Sequence, residues 1–409
     1  GSQAGMSEQK SSSVAIGKFA GESTQGSLSI AIGSEAGRNA QEPESVAIGI
    51  SAGQSTQGSR AAAVGAFAGH VNQGNDATAI GGLAGYLSQG SAAVGIGYLS
   101  GYSEQQKKSV AIGYLAGETS QGVNEPQWQF GFSTAVGNEA GRYSQNAYST
   151  AVGTVAGWSA QGELATAIGP SAGKCNQSRE AIAIGFGSGE INQGSASFAA
   201  GFGAGGDNQG VNATAIGYLA GHTEQGDNSL AVGRGAGRYN QDVQSVAIGF
   251  GAGGSHQNAQ CIAIGTQAGE VGQYTQATAI GFNAGLCAQR VQAMAIGYEA
   301  GKSSQGDAAT AIGFQAGNSD QQNFALAIGH SAGKLTQGCD CIAVGGGAGE
   351  SNQLQRAIAI GNLAGNSAQG SYSIAIGYSA GHDGVTSQHD NSIILNASGT
   401  ALTSQDPSA

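Results

Sequence analysis

Few residues of this chain belong to types that do chemistry, and their spacing decides what each could do. His382-Asp383 and His389-Asp390 suit acid–base or metal work, yet no nucleophile and no third ligand stand at matching spacing. Cys339-Asp340-Cys341 lacks partner ligands at metal spacing. Glu22, Glu118, Glu190, Glu270 and Glu350 occupy one recurrent position on separate repeats, so no carboxylate pair of fixed geometry can be read for glycoside hydrolysis. Gly201-Phe202-Gly203-Ala204-Gly205-Gly206 and Gly249-Phe250-Gly251-Ala252-Gly253-Gly254 match the dinucleotide-binding glycine pattern, but neither opens a helix inside a βαβ unit. No catalytic, cofactor-binding or metal-ligating residue is assigned, and the chain reads as a non-enzyme. Within residues 122–132, Gln127, Trp128 and Phe130 beside Pro126 suit a receptor or glycan contact. The competing reading is a loop folded back over the scaffold to seal a groove.

The scaffold is unusual in composition. Of 409 residues 74 are Gly and only 4 are Pro, with 40% hydrophobic and 10% charged. Collagen needs a three-residue glycine period and abundant Pro, and both are missing. Disorder needs low hydrophobicity and high charge. The net charge of −11 disfavours nucleic acid as a partner, because phosphate neutralisation needs clustered Lys and Arg. No apolar run of about 18 residues exists, so no membrane insertion is expected.

The composition resolves into a repeat. Take as anchor the glycine that closes each Val-Ala-Ile-Gly-like tetrad. Anchors fall at Gly1, Gly17, Gly33 and onward at that constant spacing to Gly113, then at Gly137, Gly153 and onward at the same spacing to Gly377. The one irregular step, Gly113 to Gly137, carries an eight-residue insertion. Gly stands four residues after every anchor, as at Gly21 and Gly381. Ala stands three after, except at Ser100 and Ser188, and Ala stands two before, except at Gly95. Gln stands eight after every anchor but the last. Gly1 is read as lying inside a repeat of a longer chain.

A tetrad alternating large with small residues is strand-like. The anchor spacing is about half of what a βαβ unit of roughly 30 residues requires. The expected fold is all-β, a parallel β-solenoid (β-helix or β-roll) with about 16 residues per coil. Glycines at the anchor and four residues later suit corners of positive φ or close approach. The residue after Gln, often Gly, with Asn146, Asn258 and Asp242 elsewhere, reads as a third left-handed corner. Ile or Val before the anchor is expected to fill a thin core. Gln25, Gln57, Gln121, Gln209, Gln305 and Gln369 are expected to stack inside as an amide ladder. The strictly small Ala two before the anchor implies close packing, by the opposite wall of a flattened coil or by a neighbouring chain. The position three before the anchor, which accepts Val, Ile, Thr, Phe198 and Met294, reads as less enclosed, an apolar stripe that predicts an oligomer, with a parallel homotrimer favoured. Aromatic residues one after the anchor, such as Tyr98, Tyr114, Phe186 and Phe282, read as a column packing on itself or on a neighbour, or as a sugar-stacking stripe. Residues 1–381 form the array. Residues 382–409 read as a cap or transition, with Asn396 a displaced anchor, Ile394 in the Ala-only site and Leu395 in the core site.

The Ser-Val-Ala-Ile-Gly phrase followed by Ala and Gly resembles the head repeats of trimeric autotransporter adhesins, which implies a left-handed coil and a parallel homotrimer. Those repeats are shorter and lack an invariant Gln. The Ala-Ile-Gly-x-x-Ala-Gly array is more similar to tail-fibre-like proteins of large DNA viruses and phages. In those, a segment like Asn391-Ser392-Ile393-Ile394-Leu395-Asn396-Ala397 often precedes a self-cleaving chaperone. The expected function is therefore a structural attachment fibre at a virion surface or outside cells, presenting an element to a host receptor or glycan. The alternative is a ligand-binding solenoid for glycan or ice. Five cysteines on scattered coils suggest free thiols and assembly in a reducing compartment.

Overall fold

The computed structural model describes residues 1–123, 131–382 and 387–401. It divides into two compact units, residues 1–212 and 213–409. Each is a parallel β-solenoid in which one repeat makes one coil. Every coil contributes a short strand from the tetrad, such as Val14–Ile16, paired in register with the next copy, Ile30–Ile32. Most contribute a second short strand ending at the recurrent Gln, such as Asn39–Gln41, paired with Ser55–Gln57. Strands this short are unstable alone and hold only because each is stitched to the coils on either side. The insertion leaves this pairing intact, because Val110–Ile112 pairs directly with Thr134–Val136.

The core differs from the sequence expectation in one respect. Period-two alternation is present, but the small residues point inward. Ala31, Ala47 and Ala63 of the tetrads are 0% exposed, whereas Ile16 and Ile48 before their anchors are 56% and 37% exposed. The interior is lined by the two alanine columns, by Ser, Ala or Cys four before the anchor (Ser29, Ala61, Cys261), and by the Gln column. The reason is width. Across such a narrow coil two alanines and one extended amide already meet, leaving no space for a branched side chain. The tight side is therefore the opposite wall of the same coil.

Glutamine fills that width with a fixed bonding pattern. Gln105 Nε2 donates to the Val94 carbonyl across the coil at 2.9 Å and to Gln121 Oε1 of the next coil at 2.9 Å. Gln121 repeats this to Val110 O and, over the insertion, to Gln145 Oε1. Gln305 does so to Met294 O and Gln321 Oε1, and Gln57 and Gln369 reach Val46 O and Ile358 O. Gln209 accepts from Gln193 and bonds Phe198 O. Near the start of the array the column is interrupted, with Oε1 of Gln25, Gln41 and Gln73 unpaired.

Glycine is required at two positions for two reasons. At Gly21 (φ +52°) an added Cβ would sit 2.8 Å from Gln25 Oε1, so the amide occupies the space of the missing side chain. At Gly33 (φ +133°) it would strike the Gly49 carbonyl oxygen of the next coil. The expected third corner is not left-handed except at Gly122 (φ +79°), where the insertion begins. Gly26, after Gln25, lacks positive φ, and its role is close approach, since a Cβ would lie 2.4 Å from Pro43 N. Left-handed geometry falls instead on non-glycine residues two, seven and eleven after the anchor, such as Glu35 (φ 60°), Ala40 (φ 54°) and Glu44 (φ 60°). Each costs on the order of 1–2 kcal/mol. The reward is axial bonding in both directions: Glu35 N donates back to Lys18 O, while Gly37 N donates forward to Ala52 O.

At the C-terminal segment, Ile393–Asn396 pairs with Ile374–Gly377 in the register that sets Asn396 against Gly377 and Ile394 against Ala375. Ile394 is 9% exposed and closes the alanine column. Leu395 is not in the core but 68% exposed, for the same reason as every residue preceding an anchor.

Candidate functional site

Since the small residues turn inward, the sheet of tetrad strands carries its β-branched residues outward. Ile168, Ile184, Ile216 and Ile360 are 39–41% exposed, and the residues two before them are half-buried between adjacent coils. In each unit this makes a regular apolar face, with one Ile or Val and one Val, Ile, Leu or Thr per coil for most of its length. Contiguous apolar surface beyond a few hundred Å² marks an interaction site on soluble proteins. Sequence reasoning placed the residues three before the anchor on this less enclosed face, but put the Ile or Val directly before the anchor in the core.

Within each unit the aromatic column one after the anchor stacks on itself at several runs of consecutive coils. Phe282, Tyr298, Phe314 and His330 lie at successive centroid spacings of 5.2, 5.0 and 5.0 Å, and Phe186 stacks on Phe202 at 5.1 Å. A second column, five after the anchor, was missed by sequence reasoning: His70, Tyr86 and Tyr102 stack at 4.8 and 5.1 Å. Three rings at one position of consecutive repeats was the available signal.

The same position holds the acids. They are separate from one another, and three pair with cations of adjoining coils: Glu22 with Arg38 at 2.6 Å, Glu118 with Arg142 at 2.5 Å, Glu190 with Lys174 at 3.4 Å, whereas Glu270 and Glu350 accept from the amides of Gln267 and Asn366. A second carboxylate, two after the anchor, completes the arginine sites, Glu35 for Arg38 and Glu139 for Arg142. Bonding to Glu22 raises the Arg38 guanidinium above its ordinary value. Further along, bonding to Lys302 and Gln315 holds the Glu299 carboxyl below its usual range. These ion pairs and hydrogen bonds couple neighbouring coils along the axis.

Gln127, Trp128 and Phe130 lie outside the described residues, as does Asp383. Asp390 accepts the Ser371 N–H at 2.6 Å, a terminal cap contact. All five cysteines are free; Cys261 and Cys341 are buried, and desolvation pushes both thiols up to about 11. Among the described residues no three His, Cys, Asp or Glu side chains gather to hold a metal ion, and no helix is long and apolar enough to cross a membrane.

Fold and surface together define a β-solenoid repeat protein of about 23 turns. No family model and no curated protein matches the chain.

Proposed function

We propose that this chain is a non-catalytic structural shaft whose copies associate in parallel, as a homotrimer, through the outward Val/Ile face, and that it serves in an attachment fibre on a virion or outside cells. The observation that carries this reading is the apolar face itself. It recurs coil after coil in both units, although the interior of each coil is already closed by Ala and Gln. Burying one such Ile against another chain contributes about 1 kcal/mol, so a face of many coils sums to a stable interface. The number three rests on the likeness to trimeric adhesin heads. The fibre role rests on the likeness to viral tail-fibre arrays, and axial hydrogen bonding supplies the stiffness such a role needs.

Light scattering after size-exclusion chromatography tests it. A mass three times the 40.1 kDa chain is expected, and Ile168→Lys with Ile360→Lys should reduce it to that of one chain. A wild-type monomer would overturn the proposal, and a monomer showing thermal hysteresis would move the reading to ice binding.

A further inference from the structure

We propose that a cleft in the second unit is a binding site for a carboxylated sugar. The cleft, of about 350 Å³, is lined by Arg234, Arg238, Tyr239, Phe250, Gly251 and Glu270 among others, a size in the range of small-ligand sites. It exists because three positions that usually carry side chains are glycine on two consecutive coils: Gly235 and Gly251, two after the anchor, and Gly254, five after it.

The chain supplies its own controls for what Arg238 lacks. Arg38, Arg142 and Arg238 occupy the same repeat position. In the first two, Nε donates to a glutamate of the preceding coil, at 2.6 Å to Glu22 and 2.5 Å to Glu118. Their Nη1 atoms reach Glu35 at 3.4 Å and Glu139 at 2.8 Å. Around Arg238 the two carboxylate positions are His222 and Gly235. Its Nε is buried without a hydrogen-bond partner, and its guanidinium lies over the Tyr239 ring at 4.8 Å. A site that elsewhere holds one arginine and two carboxylates here holds the arginine with neither carboxylate, open at Gly235, where Glu139 stands in its counterpart.

A second cation and a flat wall adjoin it. Arg234 sits in the aromatic column between Tyr218 and Phe250, at 5.5 and 5.6 Å from their centroids. That placement fixes the guanidinium plane while leaving its N–H edge for an anion. Opposite, Glu270 reaches back over the glycines, with Oε1 3.7 Å from where a Gly251 Cβ would be, held by Gln267 Nε2 at 2.7 Å. Arg238 and Glu270 are two coils apart, about 9.6 Å. A carboxylate on Arg238 and Arg234, hydroxyls donating to Glu270, and a ring lying on Phe250 describe an acidic sugar. Glu270 opposes a compact dianion such as phosphate or sulfate.

The cleft uses other repeat positions than the Val/Ile face, so it stands or falls independently of self-association. Saturation-transfer NMR and calorimetry on the full chain, with N-acetylneuraminic acid, glucuronic acid, glucose, phosphate and sulfate, test it at millimolar concentrations. Saturable binding of at least one acidic sugar and none of glucose is expected. Gly235→Glu restores the carboxylate that Arg38 and Arg142 have, in a backbone conformation that Glu35 and Glu139 already adopt. Gly254→Tyr fills the cleft with the residue that Tyr86 and Tyr102 place there on other coils. Each should weaken binding about ten-fold or more with unchanged circular dichroism and melting. Absence of saturable binding by either acidic sugar, equal binding by both variants, or equal competition by phosphate or sulfate would each overturn the assignment.

Discussion

The inside of each coil is more polar than one of its outer faces. Gln289 is 0% exposed in the interior, while Ile168 and Ile360 stand on the sheet surface at 41% and 39%. In an ordinary domain these residue types would exchange places. What the difference teaches is that width, not hydrophobicity, chooses the occupants of a thin coil. Glutamine is admitted because the neighbouring copy completes its hydrogen bonds, and isoleucine is displaced because no facing residue leaves it space.

Breaking the polar column should have the largest effect. Gln289 donates to Thr278 O, Ala293 O and Gln305 Oε1 and accepts from Gln273. Gln289→Leu keeps the volume and strands these buried partners, a cost of about 3–5 kcal/mol. Hydrogen exchange at coils around residue 289 should accelerate accordingly, and exchange unchanged from wild type would remove the column's stabilising role. Ala279→Leu tests width directly. Overpacking there should cost about 2–3 kcal/mol, read as a lowered urea midpoint for the second unit. Gly285→Ala adds a Cβ 2.8 Å from Gln289 Oε1 at φ +53°, and about 1–2 kcal/mol of strain is expected in the same assay.

Changing the outer face should barely move folding. Ile168→Thr is expected to stay within about 0.5 kcal/mol of wild type when monomeric while weakening self-association in light scattering. The smallest effect concerns the thiols. With an iodoacetamide pulse at pH 8, Cys287 and Cys339 should label while Cys261 and Cys341 stay protected. Burial raises the latter two from the usual 9.0 to about 11. A raised folded pKa means their contribution to stability is full below pH 9 and declines as pH rises through 11. Protein unfolding should sharpen at that alkaline limit, and Cys261→Ala with Cys341→Ala should flatten it.

Much of this was legible before any coordinates. A constant anchor spacing, glycine at fixed corners and an unvarying Gln at one position determine a parallel solenoid by themselves, because only a structure stacking like on like makes identity matter at every repeat. The displaced register of Asn396 could be counted from Gln388. What the sequence left open was direction. Alternation in Val14-Ala15-Ile16 specifies two faces but not which is inside, and that was decided by the coil's cross-section once Ala, Ala and Gln had met across it. Likewise the left-handed turns at Glu35, Ala40 and Glu44 have no sequence mark, since nearly any residue is held there by axial hydrogen bonds to both neighbours. The cleft at Arg238 belongs to the tertiary structure alone. Three glycines there do not stand out among 74, and only stacking shows that they adjoin and leave an arginine without the carboxylates its counterparts have.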